Sequence, residues 1–219
     1  MKRTTRLLFI AILLVLLSIF AGCSSRGGST TTSSSSSATE KDPVEQSELA
    51  RHIDAGNDYL AAGDLRAATR EYEAAQKIAP EDPFVLNNLG LVYMEKEFFS
   101  LAADNFRAAL DILPYYYKAW NNLGNGYHEL GYEDKAAEAY EEALRIKPDY
   151  ALAHWNLALL LEQSGESLEA IRHWQRYISL SSGEGDTAFA RDRIAALRGD
   201  DDSSTSGGYI SDEEAGYGY

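Results

Sequence analysis

The sequence predicts an all-α fold: a solenoid of four helix hairpins closed by a C-terminal capping helix. Three observations predict it. The 136 residues from Leu49 to Glu184 divide into four segments of 34 that carry the same residue types at the same places. Within each segment Ala, Leu and aromatic residues recur at helical spacing, and no alternating strand pattern is present. Proline closes three of the segments, at Pro80, Pro114 and Pro148, where a helix cannot continue.

The elements follow in chain order. Lys2, Arg3 and Arg6 precede an apolar run from Leu7 to Phe20. That run is too short to span a bilayer, which takes roughly 20 apolar residues, and it fits a secretory signal over residues 1–22. Residues 23–42 are mostly Ser, Thr and Gly, cannot bury apolar surface, and read as a disordered linker. Residues 43–198 form the folded domain, with repeats at 49–82, 83–116, 117–150 and 151–184. Asp82-Pro83 has the form of a helix cap followed by a first helical residue. The stretch Val44 to Ala50 extends the first helix. A capping helix over 186–198 has Phe189, Ala190, Ile194 and Leu197 on one side and Arg191, Asp192, Arg193 and Arg198 elsewhere, as the end of a solenoid requires. Residues 199–219 form an acidic, Gly/Ser-rich tail, read as disordered, with Tyr209, Tyr217 and Tyr219 among its glycines.

The repeat is most complete in its third copy: Trp120-Asn121-Asn122-Leu123-Gly124-Asn125-Gly126-Tyr127, then Ala136, Tyr140, Ala143 and Pro148. Small residues recur at Gly56, Gly90, Gly124 and Ala158, alanines at Ala68, Ala102, Ala136 and Ala170, and aromatics at Tyr72, Phe106, Tyr140 and Trp174. This pattern resembles the tetratricopeptide repeat. His52 and His154 stand where that repeat usually has Trp, and Tyr177 where it has Ala. At the amino terminus, Phe20-Ala21-Gly22-Cys23-Ser24 resembles the lipobox of bacterial lipoproteins, with Phe in place of the usual Leu. That resemblance implies acylation of Cys23 and anchoring in the cell envelope. Ser24, where Asp would imply inner-membrane retention, favours the outer membrane, facing the periplasm.

The tetratricopeptide resemblance also implies where a partner binds. The first helices of such hairpins line a concave groove that holds a peptide or a partner protein. The groove places here are Ile53, Asp54 and Asn57 in the first repeat, and Phe84, Asn87, Asn88, Leu91 and Met94 in the second. The third gives Lys118, Asn121, Asn122, Asn125 and His128, and the fourth Leu152, Trp155, Asn156, Leu159 and Glu162. Asn88, Asn122 and Asn156 stand 34 residues apart, and an amide offers both a donor and an acceptor to a peptide backbone. They also have a structural alternative, bonding to a neighbouring helix. A carboxylate clamp built on such repeats needs cations where this chain has Ile53 and Asn122, so carboxylate capture is not expected.

Composition excludes other classes. The chain carries 20 basic and 34 acidic residues, a net charge of −14, which repels nucleic acid. A single Cys rules out a disulfide framework and a Cys-rich zinc site. No HExxH, phosphate loop or nucleophile elbow is present, and no cofactor or enzyme activity is expected. The leading expectation is a lipid-anchored interaction scaffold of the bacterial envelope, similar to lipoproteins that assist pilus or secretin assembly or tether cell-wall enzymes. The alternative is a structural envelope protein that associates with copies of itself.

Overall fold

The computed structural model describes residues 42–181 and 184–199. The expected signal, Cys23 as the expected lipidation site, the expected linker up to Lys41 and the tail beyond Gly199 lie outside the described residues. Among the described residues the structure is entirely helical. Four hairpins run in order: α1 (Pro43–Ala61) with α2 (Leu65–Ile78), α3 (Pro83–Glu95) with α4 (Phe99–Ile112), α5 (Tyr117–Glu129) with α6 (Glu133–Ile146), and α7 (Ala151–Gln163) with α8 (Ser167–Leu180). A ninth helix, α9 (Glu184–Arg198), follows and begins two residues earlier than the sequence suggests. No helix among the described residues is long and apolar enough to cross a membrane.

Local chemistry sets the helix starts. Asp42 accepts from the Val44 N–H at 3.0 Å, with Pro43 as the first helical residue. Asp82 accepts from the N–H groups of Phe84 and Val85, with Pro83 behind it. Each cap satisfies donors that the first helical turn leaves orphaned. The turn inside each hairpin needs a left-handed residue. Gly63, Gly131 and Gly165 supply it at φ 74°, 72° and 84°, whereas Glu97 occupies the same place in the second hairpin at φ 61°.

Close approach of the two helices in a hairpin depends on the small residue at the eighth place. A Cβ added to Gly90 would lie 2.4 Å from Cε1 of Phe106, and one added to Gly124 would lie 2.4 Å from Cε1 of Tyr140. The aromatic ring therefore occupies the space a side chain would take. Tyr72, Phe106 and Trp174 are wholly buried, and Tyr140 nearly so, each at the twenty-fourth place of its repeat. Burial pushes the Tyr72 hydroxyl pKa up to about 12.

The two ends of the array close differently. On α3 the residues that meet the preceding hairpin include Val85, Leu89 and Val92, buried in a cluster with Tyr72 and Ala75. The same places on α1 hold Arg51, Ala55 and Asp58, a smaller and more polar set that suits an end of the array. At the other end α9 packs on α8. Ala190 and Ile194 are buried in a cluster with Trp174 and Tyr177. Glu162 of α7 accepts from the Trp174 indole N–H at 3.3 Å and pairs with Arg193 of α9.

Candidate partner-binding surface

The first helices of the hairpins adjoin one another in a row, α1–α3–α5–α7, and asparagines stitch the seams. Asn88 Nδ2 donates to Asn57 Oδ1 across the first seam at 3.3 Å. Asn122 Nδ2 donates to Asn87 Oδ1 across the second at 3.0 Å. Asn156 Nδ2 donates to Asn121 Oδ1 at 3.1 Å and Asn125 Oδ1 at 3.0 Å across the third. Asn87, Asn121 and Asn125 are buried, as are Asn122 and Asn156. Buried amides are expected to find partners, and these find most of them in the next repeat. The Nδ2 atoms of Asn121 and Asn125 are the exceptions, buried without an acceptor among the described residues.

Of the two roles the sequence leaves open for these asparagines, the structure displays the bond to a neighbouring helix. The Nδ2 donors of Asn88, Asn122 and Asn156 point along the row into neighbouring helices, which enclose Asn122 and Asn156 but leave Asn88 half-buried. Asn87, Asn121 and Asn125 form the floor of the row, not its surface. Trp155 packs at the end of the array. Its ring lies 4.9 Å from Trp174, 4.9 Å from Tyr177 and 5.0 Å from Phe189, so it belongs to the aromatic packing under α9. These contacts cover most of the indole, which stays half-buried.

The remaining candidates stay accessible. Asn57, Phe84 and Lys118 are exposed, and Asn88, Leu91 and His128 are half-buried. Phe84 is 51% exposed and meets Tyr116 edge-on, with ring centroids 5.2 Å apart. Next along this edge, Tyr117 meets Tyr150 at 4.8 Å. Burial raises the hydroxyl pKa of Tyr116 and takes that of Tyr150 to about 12. His128 Nδ1 lies 2.9 Å from Glu133 Oε2.

A regularity absent from the sequence reading links the ninth and twenty-fourth places. Tyr72 donates to Asn57 Oδ1 at 2.6 Å, and Tyr140 donates to Asn125 Oδ1 at 2.8 Å. Where the twenty-fourth residue is Phe106 or Trp174, the ninth is Leu91 or Leu159. A hydroxyl is matched by an amide, and an apolar ring by Leu. Inspection of the repeats for paired changes would have found it.

Other clusters do not add chemistry to this face. A cleft of ≈ 390 Å³ runs over Trp120, Leu123 and Tyr127, between Arg107 and Asp111 on one side and Lys135 and Glu138 on the other. Trp120 and Tyr127 lie on the side of α5 away from Asn122 and Asn125. His154 and His173 approach Nδ1 to Nδ1 at 2.9 Å, and His154 Nε2 lies 3.1 Å from the Pro148 carbonyl oxygen. Burial lowers both imidazole pKa values, that of His173 to about 4. Among the described residues no group of three or more His, Cys, Asp or Glu is placed to hold a metal ion.

Two segments of the chain, residues 53–117 and 127–165, match models of the tetratricopeptide repeat. The chain carries tetratricopeptide repeats. Solved structures of this architecture are similar to it. A crystal structure of MamA protein shares 19% identity over 75% of this chain and 99% of that one, at a TM-score of 0.56. The hetero-tetramer Cut9-Hcn1 of APC/C shares 23% identity at a TM-score of 0.62, over 68% of this chain and 30% of that one. The first tetratricopeptide domain of Spaghetti (RPAP3), bound to the HSP90 peptide SRMEEVD, shares 21% identity at 0.52, over 54% of this chain and 94% of that one. At these identities the likeness is one of fold. No curated protein matches the chain in a sequence search. Tetratricopeptide arrays are protein–protein interaction scaffolds, and the fold is typically non-catalytic.

Proposed function

We propose that this chain is a lipid-anchored interaction scaffold of the bacterial cell envelope. It holds a peptide or partner protein against the row of first helices and assists assembly of an envelope machine, such as a pilus or secretin or a cell-wall enzyme complex. The observation that carries the binding surface is the open part of that row. Phe84, Asn88, Leu91 and Lys118 stay accessible on adjacent first helices, whose packing is otherwise complete. An exposed aromatic ring flanked by polar groups is the kind of anchor that dominates interface energies. The peptide-bound Spaghetti domain supports this use of the fold.

Anchoring is supported by the sequence: a basic head, an apolar run, Ala21-Gly22-Cys23, and a Ser/Thr-rich stretch before the folded domain. One acyl chain holds a protein at a membrane only marginally, and two or more hold it stably. Expression of the full chain in a bacterial host with radiolabelled palmitate tests this half. Label should enter the chain and vanish in Cys23→Ala, which should also move to the soluble periplasmic fraction. Unlabelled chain in the cytoplasm would sink the anchoring. Affinity capture from solubilised envelope, with the full chain and with Phe84→Ala beside it, tests the other half. A partner retained equally by both would place binding elsewhere.

A further inference from the structure

This inference rests on the reading above, that the row of first helices holds a polypeptide, and concerns what kind of polypeptide it is. Helical spacing puts the second, sixth, ninth and thirteenth places of each repeat on one face of its first helix. The seam hydrogen bonds identify that face, since Asn57, Asn88, Asn122 and Asn125 lie on it. Its charged residues are Asp54 in the first repeat, Glu95 in the second, and Lys118 and Glu129 in the third, all exposed. No salt bridge among the described residues engages any of the three carboxylates.

Two observations of a different kind point to the occupant. The exposed ring of Phe84 lies on the same face, and a half-open aromatic ring is a ready seat for an ammonium or guanidinium group. Asn57 and Asn88, exposed and half-buried on that face, also present side-chain amides at the surface. An amide offers a donor and an acceptor, which suits the backbone of an extended polypeptide. Only a basic one also supplies cations for Asp54, Glu95 and Glu129. A free terminal carboxylate would meet those three acids with Lys118 as the one cation on the face.

We infer that the row takes an internal, cationic stretch of extended polypeptide, with Lys or Arg interleaved among apolar residues, and not a free carboxyl terminus. The apolar residues suit Phe84 and Leu91, which are exposed and half-buried on the row. Complementary charge of this kind chooses between partners more than it adds affinity.

Fluorescence anisotropy with the full chain tests it, using three probes: an amidated Lys-Gly-Leu repeat peptide, the same peptide with a free terminus, and a Glu-Gly-Leu repeat peptide. Both Lys peptides should bind alike and the Glu peptide should not. The variant Asp54→Asn/Glu95→Gln/Glu129→Gln should weaken the Lys peptides by about tenfold at low salt. A control at exposed sites off the row, Asp111→Asn/Glu138→Gln/Glu141→Gln, should change binding by less than about twofold. Equal loss in both variants would reduce the effect to net charge and overturn the inference. Binding of the Glu peptide, or a requirement for the free terminus, would also overturn it. If that binding were lost in Phe84→Ala, the row would still be the binding surface. Failure of all three peptides to bind would overturn the inference. If Phe84→Ala also left the captured envelope partner unaffected, the binding surface would fall with it.

Discussion

At the eighth, ninth and twenty-fourth places the third repeat carries Gly124, Asn125 and Tyr140, whereas the fourth carries Ala158, Leu159 and Trp174. The backbone plan is the same, but the chemistry is opposite. In the third repeat the ring is a phenol whose hydroxyl needs an acceptor, and Asn125 provides it inside a row of amides. In the fourth the ring is an indole packed with Trp155, Tyr177 and Phe189, and its N–H is taken by Glu162. The second repeat carries the apolar pair Leu91 and Phe106 inside the array, so the pairing belongs to each hairpin. What is particular to the fourth repeat is the aromatic cluster on which α9 packs, while Asn156 still joins the amide row.

Substitutions can break this comparison, beginning where burial is greatest. Trp174→Ala removes a wholly buried ring on which α9 also leans. It should cost about 3–5 kcal/mol and loosen the fourth repeat with its cap, read by urea unfolding and by hydrogen exchange in α8 and α9. Gly124→Ala forces a methyl to within 2.4 Å of the Tyr140 ring and should cost about 1–3 kcal/mol, whereas the fourth repeat already carries Ala at this place. If Gly124→Ala unfolds at the native urea midpoint, the close approach is not what holds the hairpin.

The amide–hydroxyl match is the sharper test. Asn125→Leu alone removes the acceptor that Asn125 offers the buried Tyr140 hydroxyl and should cost about 1–3 kcal/mol. Adding Tyr140→Phe reproduces the Leu91 and Phe106 pair of the second repeat and should recover most of that loss. A double variant no more stable than the single would show that the pairing is coincidental.

Acid separates the repeats in another way. The His154 and His173 pKa values are lowered in the folded state, so the unfolded chain takes up protons first as pH falls. Stability from these groups is intact above the unfolded value near 6.5 and declines as pH drops from there toward about 4. The charged groups Glu169, Arg172 and Arg176 surround the pair and modulate this decline. His173→Gln should flatten the fall between about pH 6.5 and 5, before most carboxylates titrate. An unchanged profile would remove the imidazole pair as its cause. The smallest effect is a gain. Glu97 holds the left-handed turn that glycine holds in the other three hairpins, and Glu97→Gly should stabilise by about 1 kcal/mol in the same urea assay.

Much of this architecture was legible in the sequence because it repeats. The eighth-place glycines, the twenty-fourth-place aromatics and Asp82-Pro83 each have one dominant physical reason, and each lies where the period puts it. The site was less legible because a residue at a groove place can point into the groove or along it. Asn122 and Asn156 are spaced as a peptide ladder, but their Nδ2 donors are spent on the next helix. Trp155 occupies a groove place in a repeat that α9 covers, and its local sequence does not show where the cap settles. Glu95 and Glu129 escaped notice because the thirteenth place was not counted as facing the row. The helical spacing of the second, sixth and ninth places already implied it.

The central question is whether a partner sits on the open part of the row, over the second and third repeats. The direct measurement is titration of the partner captured from envelope against two variants of the full chain. One alters the row, Phe84→Ala/Asn88→Ala. The other removes exposed apolar groups away from it, Tyr132→Ala/Leu168→Ala. A loss of about tenfold or more in the first, with the second near native affinity, is the predicted result. Native affinity in the first with a loss in the second would move the binding surface off the row and contradict the account.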